Sequence, residues 1–172
     1  GSTRRKDLSC GEDINLQSLL SAETEYVCIF GKSWDFQVTD ILHASLEDNL
    51  VMIKDTVSYL CSKGRKVIFD AEHFFTGYAE NSEYALKSLE AAVEGGAECL
   101  CLCETKGGAM PLECFNAVKT VVDDIEKNFG EIHILVNNAG VAEQALFTDI
   151  TDEMWHRMIE TNLSGSFYCS RA

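Results

Sequence analysis

The sequence is poor in proline, in positive charge and in long apolar runs. One proline, Pro111, stands in 172 residues, so no proline-rich linker divides the chain. Lysine and arginine total 14 against 28 aspartates and glutamates, a formal charge of −14. Nucleic acid and anionic membrane surfaces both demand basic patches, so neither is an expected partner. A solvated surface is enough to explain the acidity. No apolar run approaches the ~18 residues of a membrane-spanning helix, and no secretory leader is visible. The four histidines, His43, His73, His133 and His156, are scattered without H-x-H or H-x-x-H spacing. A hard divalent cation needs several ligands converging on one point, so no metal is expected. Neither G-x-G-x-x-G nor G-x-x-x-G-x-G occurs, so the backbone N–H cradle of a bound dinucleotide is not expected and no cofactor is assigned.

What is present suits a single domain over residues 1–172. Apolar residues make up 46%, and a chain of this length buries roughly 70% of its surface on folding. Eight cysteines stand at 10, 28, 61, 99, 101, 103, 114 and 169. Several lie in apolar runs, where a thiol behaves as a small hydrophobe, and reduced thiols imply a cytoplasmic protein. Cys99-Leu-Cys101-Leu-Cys103 places three thiols on one face of a strand. Same-face neighbours are ~7 Å apart along a strand, whereas sulfurs sharing zinc must approach within ~4 Å. The run therefore reads as a core strand.

Four apolar runs read as buried parallel strands: 26–30, 66–69, 99–103 and 132–136. Helical patterns lie between and after them. Leu46, Leu50, Ile53, Val57 and Leu60 form one apolar face, and Leu86, Leu89 and Val93 another, with Gly95-Gly96 as its stop. Pro111 suits a first helical turn. Phe115, Val118, Val122, Ile125 and Phe129 then form a stripe. Thr151 or Asp152 caps a last helix with the stripe Met154, Trp155, Met158, Ile159 and Leu163. This alternation predicts an α/β fold of four parallel strands in sequential order, resembling half a barrel. A flavodoxin-like three-layer sandwich is the alternative. Bare sheet edges invite pairing, so a homo-oligomer, most simply a homodimer, is expected.

Two resemblances divide the chain. Over about 1–113, "GSTRRK", "IFGKSWDFQVTDIL", "VIFDAEHFFTGYAENSEYAL" and "LCETKGGAMP" resemble consecutive pieces of the isopropylmalate-synthase family of TIM barrels, the citramalate synthases in particular. That likeness implies strands from the middle of a barrel. It also implies a parent that condenses acetyl-coenzyme A with an α-keto acid using a divalent metal. Over about 114–172, "VDDIEKNFGEIHILVNNAG" and "MWHRMIETNLSGSFYCSRA" resemble the short-chain dehydrogenase/reductases, of the 3-oxoacyl-carrier-protein reductase kind. The change-over falls near 104–118, in a βα connection.

The resemblances also single out residues. Glu72 and His73 match the synthase "DAEH" segment, and Thr105 matches a strand-end threonine. Asp70, Glu72, His73 and Glu104 are placed to gather at strand ends, where barrel sites sit. Lys106 stands where an asparagine is usual. Asn137, Asn138, Ala139 and Gly140 match the reductase NNAG, near the adenine half of that family's cofactor, and Asn162 matches its catalytic asparagine. All of these are expected to be remnants. The reductase Ser, Tyr and Lys are expected beyond residue 172. Tyr59-Leu-Cys-Ser-Lys63 spells Y-x-x-x-K, but in the synthase-like helix, as a chance pairing. Lys106, Gly107 and Gly108, ahead of a helix start, are the anion-binding candidate, with a flexible turn as the plainer alternative.

The expectation is an engineered or recombined fusion that folds without a complete active site and is not an enzyme. Residual reductase or synthase activity, and a self-associating or anion-binding module, are the alternatives.

Overall fold

The computed structural model describes residues 1–132, 135–138 and 140–171. It forms two compact units, Gly1–Gly108 and Ala109–Ala172.

The first unit is built on three parallel strands, β1 (Tyr26–Lys32), β2 (Lys66–Glu72) and β3 (Cys99–Leu102), in sequential order. Register is set by Val27 opposite Val67 and Asp70 opposite Cys101. Side chains alternate across the sheet. Val27, Ile29, Val67, Phe69 and Ala71 are buried on one face, while Tyr26, Cys28, Phe30 and Cys99 are exposed on the other. Sequential right-handed βα crossovers place their helices on the same side. Here these are α2 (Leu46–Ser62) and α4 (Ser82–Gly95), which pack on each other and on β2. The α/β class and the sequential order of the parallel strands are as expected, with three strands formed by the described residues.

Local signals explain the helix limits. Asp13 caps α1 (Ile14–Ser21), its carboxylate accepting from Asn15 N at 2.9 Å and Leu16 N at 3.4 Å. Ser45 caps α2, accepting from Asp48 N. Ile53, Val57 and Leu60 are fully buried as the stripe predicts, while Leu46 and Leu50 are partly buried against Val38, Ala44 and Tyr84. On α4 the buried face is made largely of small residues, Ala85, Ser88, Ala91, Ala92 and Gly95, around Leu89. Gly95 is thus a packing residue. A Cβ there would lie 2.8 Å from Val57 Cβ and 3.0 Å from Lys54 O. Gly96, at φ +99°, is the left-handed stop.

The edges differ from expectation. Residues 1–3 run beside β1: Phe30 N donates to Gly1 O at 2.8 Å and Thr3 N to Phe30 O at 3.1 Å. The chain thereby covers its own first edge. β3 pairs with β2 alone among the described residues. The fourth strand expected at 132–136 is not formed by its described residues, Ile132, Leu135 and Val136; Val136 is 73% exposed. His133 and Ile134 lie outside the described residues. A strand is held only by pairing with a neighbour, and the described parts of this segment have none.

The second unit is helical: α5 (Pro111–Phe129), α6 (Asp152–Ile159), a π-helical turn at Glu160–Ser164, and α7 (Gly165–Arg171). Ala117, Val118, Val121 and Ile125 form the buried stripe of α5. Val121 takes the place expected for Val122, since steps of three and four from Val118 serve a helix equally. Phe129 is exposed. Thr151 caps α6, accepting from Met154 N. The expected last stripe is only half formed: Trp155 is 54% and Leu163 65% exposed. Leu163 sits in the π turn, whose wider repeat carries it out of phase with Met154 and Met158.

Candidate functional site

The C-terminal ends of the strands in the first unit form a polar rim. β1 delivers Lys32 and, one turn on, Trp34. β2 ends at Glu72 and His73, and β3 runs out into Cys103, Glu104, Thr105 and Lys106. Lys32 Nζ and Glu72 Oε2 form an ion pair at 2.5 Å. His73 adopts a left-handed backbone, φ 55°, strained for a residue with a side chain. Its N–H donates to Thr105 Oγ1 at 3.0 Å, which ties the ends of β2 and β3 together. Its ring lies 5.6 Å from that of Trp34. The Trp34 Nε1–H donates to Glu80 Oε2 at 2.8 Å. Gly77 lets α3 (Phe74–Glu80) approach closely enough for this, because a Cβ would strike Ser33 O and lie 2.8 Å from Trp34 Cα.

Glu104 determines the chemistry of the glycine turn. Its Oε1 accepts from Gly107 N at 2.6 Å and Gly108 N at 3.0 Å. Consecutive N–H groups converging on one anion make a nest, and here the anion is the chain's own carboxylate. Lys106 turns elsewhere, its Nζ 6.0 Å from the Trp34 ring centre. A free anion at Lys106, Gly107 and Gly108 would have to displace Glu104. Glu104 Oε2 and His73 Nδ1 are buried without a hydrogen-bond partner among the described residues.

Two of the three thiols lie closer together than strand spacing predicts. Spacing along a strand keeps same-face residues apart, but β3 ends at Leu102. Cys103 lies beyond it, and its Sγ comes within 3.6 Å of Cys101 Sγ and 2.7 Å of Asp70 Oδ1. A hydrogen bond from Cys103 lowers the Cys101 thiol to about 7, against the opposing effects of burial and Asp70. The same contact, with burial and Asp70, pushes Cys103 up. The contact joining Cys101, Cys103 and Asp70, and the places of Lys32 and Trp34 on the rim, are not foreseen by the sequence. The available signal was a Cys-x-Cys pair just before the Glu-Thr-Lys-Gly-Gly turn, where strand geometry stops. Among the described residues no group of three or more His, Cys, Asp or Glu is arranged to hold a metal ion.

In the second unit the reductase-like residues bind the chain itself. Asn162, in the π turn, accepts from Val141 N at 2.8 Å and donates to Val141 O at 3.0 Å. A Cβ on Gly140 would lie 3.4 Å from Asn162 Oδ1. Asn137 Nδ2 donates to Ser170 Oγ at 2.9 Å. Asn138 is exposed and Ala139 lies outside the described residues. With both Asn162 amide groups engaged, this side chain clamps the turn at Val141. Tyr59 and Lys63 stack on the surface of α2, Nζ 5.3 Å from the ring centre, while Gln17 Nε2 donates to the Tyr59 hydroxyl.

Comparison with known proteins places these pieces. The family described as short chain dehydrogenase matches residues 81–172, more than half of the chain. The chain belongs to that family. It is also 46% identical over 140 residues to the (R)-citramalate synthase of Sulfolobus acidocaldarius, covering 81% of this chain and 27% of that protein. With the Aquifex aeolicus (R)-citramalate synthase it shares 54% identity over 121 residues, 70% of this chain and 23% of the relative. The 3-oxoacyl-[acyl-carrier-protein] reductase of Escherichia coli is 45% identical over 56 residues, 33% of this chain and 23% of the reductase. The chain thus spans about a quarter of the length of these relatives. It is a composite of two enzyme-derived segments, and the two likenesses overlap. No described helix is long and apolar enough to cross a membrane.

Proposed function

We propose that the chain is a fusion, engineered or recombined, that keeps the packing of two enzyme parents and is not itself an enzyme. One observation carries this reading: Glu72 and Asn162, which match site residues of the two families, and Glu104 at the neighbouring strand end are all spent on the chain. Glu72 is paired with Lys32, Glu104 fills the Gly107–Gly108 nest, and the Asn162 amide clamps Val141. Groups committed to internal bonds stabilise a fold but offer nothing to a substrate until those bonds break. The test is direct assay of the purified chain, following NADPH oxidation with a 3-oxoacyl thioester and coenzyme A release from acetyl-coenzyme A with an α-keto acid. No turnover above blank is expected. Turnover that disappears in Glu72→Gln or Asn162→Ala overturns the reading.

A specific observation favours self-association as a second property. β3 presents an edge without a described partner, beside an open face carrying Tyr26, Cys28 and Phe30. A homodimer pairing that edge is the simplest assembly. Cys10, Cys28, Cys61, Cys99, Cys101, Cys103 and Cys169 are free thiols, which supports a reducing, cytoplasmic setting.

A further inference from the structure

The sheet register places Asp70 beside Cys101 on the open face, and Cys103 folds back toward both as the chain leaves β3. Its Sγ stands 3.6 Å from Cys101 Sγ and 2.7 Å from Asp70 Oδ1. We propose that Cys101 and Cys103 form a peroxide-oxidisable dithiol, in which Cys101 reacts first and Cys103 resolves it.

The Cys101 thiolate attacks one oxygen of a hydroperoxide; an S–O bond forms, the O–O bond breaks, and hydroxide or alkoxide leaves. Cys101 is then a sulfenic acid. Cys103 Sγ attacks that sulfur, the S–S bond forms, and the sulfenic oxygen departs as water. Cys103 must lose its proton for this, and the Asp70 carboxylate at 2.7 Å is placed to take it. Before oxidation the single Cys103 S–H has three acceptors within reach, Asp70 Oδ1, the Cys101 thiolate and, at 3.8 Å, the Cys101 carbonyl oxygen. Donation to Cys101 favours the thiolate where attack begins. Closing a disulfide requires Sγ–Sγ to contract to ~2.05 Å. Cys103 lies outside the ladder, apart from a long N–H···O bond to Ala71 at 3.3 Å, so the backbone at 102–103 can yield without breaking the sheet.

The other thiols provide internal comparisons. Burial pushes Cys28, Cys61 and Cys99 up from the ordinary thiol value. At pH 7 a thiol near 7 is about half ionised, against ~3% for one at ~8.5; after the loss of intrinsic nucleophilicity with falling pKa, a net rate advantage of about 3- to 4-fold remains.

The experiment treats the full chain with hydrogen peroxide and follows each cysteine by mass spectrometry. The expected result is loss of two hydrogens in the segment holding Cys99, Cys101 and Cys103, with Cys101 consumed at least about 3-fold faster than Cys61. Cys99→Ser should keep the two-hydrogen loss. Cys103→Ser should abolish it and leave Cys101 as a sulfenic acid that dimedone traps. Asp70→Asn should slow disulfide closure while leaving the first oxidation in place. The proposal is overturned if Cys99→Ser abolishes the loss, if Cys103→Ser retains it, or if Cys101 reacts no faster than Cys61.

Discussion

Asn49 is fully buried, and its amide joins three parts of the first unit. Nδ2 donates to Lys32 O at 2.9 Å and to the Tyr84 hydroxyl at 2.7 Å. Removing the hydroxyl leaves a buried donor without its partner, which costs about 1–3 kcal/mol. Tyr84→Phe should therefore lower the unfolding free energy by about 1–3 kcal/mol, seen as a lower urea midpoint with little change in slope. The same tyrosine sets an alkaline limit. Burial is the first cause that pushes its phenol up, to about 12, against the opposing Asn49 hydrogen bond. An unfolded tyrosine titrates near ~10, so between those values the unfolded chain loses a proton that the folded chain keeps, and stability falls as pH rises. The loss is on the order of 2 kcal/mol across that window. Denaturation followed from pH 9 upward should show the fall, and Tyr84→Phe should blunt it; an equal fall in both proteins would refute the assignment. Gly95 gives a second residue-scale test. Alanine favours a helix over glycine by roughly 0.5–1 kcal/mol, but a Cβ 2.8 Å from Val57 Cβ overpacks the α2–α4 contact, at about 1–3 kcal/mol. Packing wins, and Gly95→Ala should melt at a lower temperature than the parent.

Among the elements, α1 depends most on one side chain. Asp13 accepts from Asn15 N, Leu16 N and, across the loop, Arg5 N at 2.8 Å. Burial opposes its charge, but the three backbone N–H groups win and hold the carboxyl below its usual value. A depressed acid contributes stability above its unfolded pKa of ~3.9 that is lost as pH falls through the lower folded value. Asp13→Ala should cost about 2 kcal/mol near neutral pH, and less once the acid of the parent protein is protonated. Urea titrations at pH 7 and pH 3 compare the two.

The cap on α6, the stripe on α2 and three strands were legible because each is a local pattern. Thr151, Ile53, Val57 and Val67 need only their neighbours in sequence to declare a face. That Ile132, Leu135 and Val136 form no strand was not legible: residues 132–136 have strand composition, but a strand exists only where a partner edge receives it, and sequence does not print the partner. The rim was half legible. Strand-end placement grouped Asp70, Glu72, His73 and Glu104, yet nothing in the order of residues shows that Glu104 fills the Gly107–Gly108 nest. The Cys101–Cys103 contact was missed for a similar reason, since a strand spacing was applied one residue past the strand's end.

At the scale of the molecule, two opposing terms decide whether copies associate. The β3 edge and the open face with Tyr26, Cys28 and Phe30 favour pairing, since an unpaired edge is a template for another chain. A formal charge of −14 on each copy opposes it. That repulsion acts beyond contact range and is screened over a Debye length of ~10 Å at 0.1 M salt, shortening to ~3 Å at 1 M. Backbone pairing is not screened in this way. Association should therefore strengthen with added sodium chloride, and a sedimentation dilution series at low and high salt should show a larger dimer fraction in the salted sample. Cys99 lies exposed on β3 itself, and a lysine on an edge strand blocks pairing by keeping a solvated charge there. Cys99→Lys should shift the series toward monomer at both salt levels even though it lowers the net charge, the opposite of what relief of repulsion alone would do. A parent protein that sediments as a monomer at every concentration, or a Cys99→Lys variant that associates more tightly, would rule out the β3 edge as the contact.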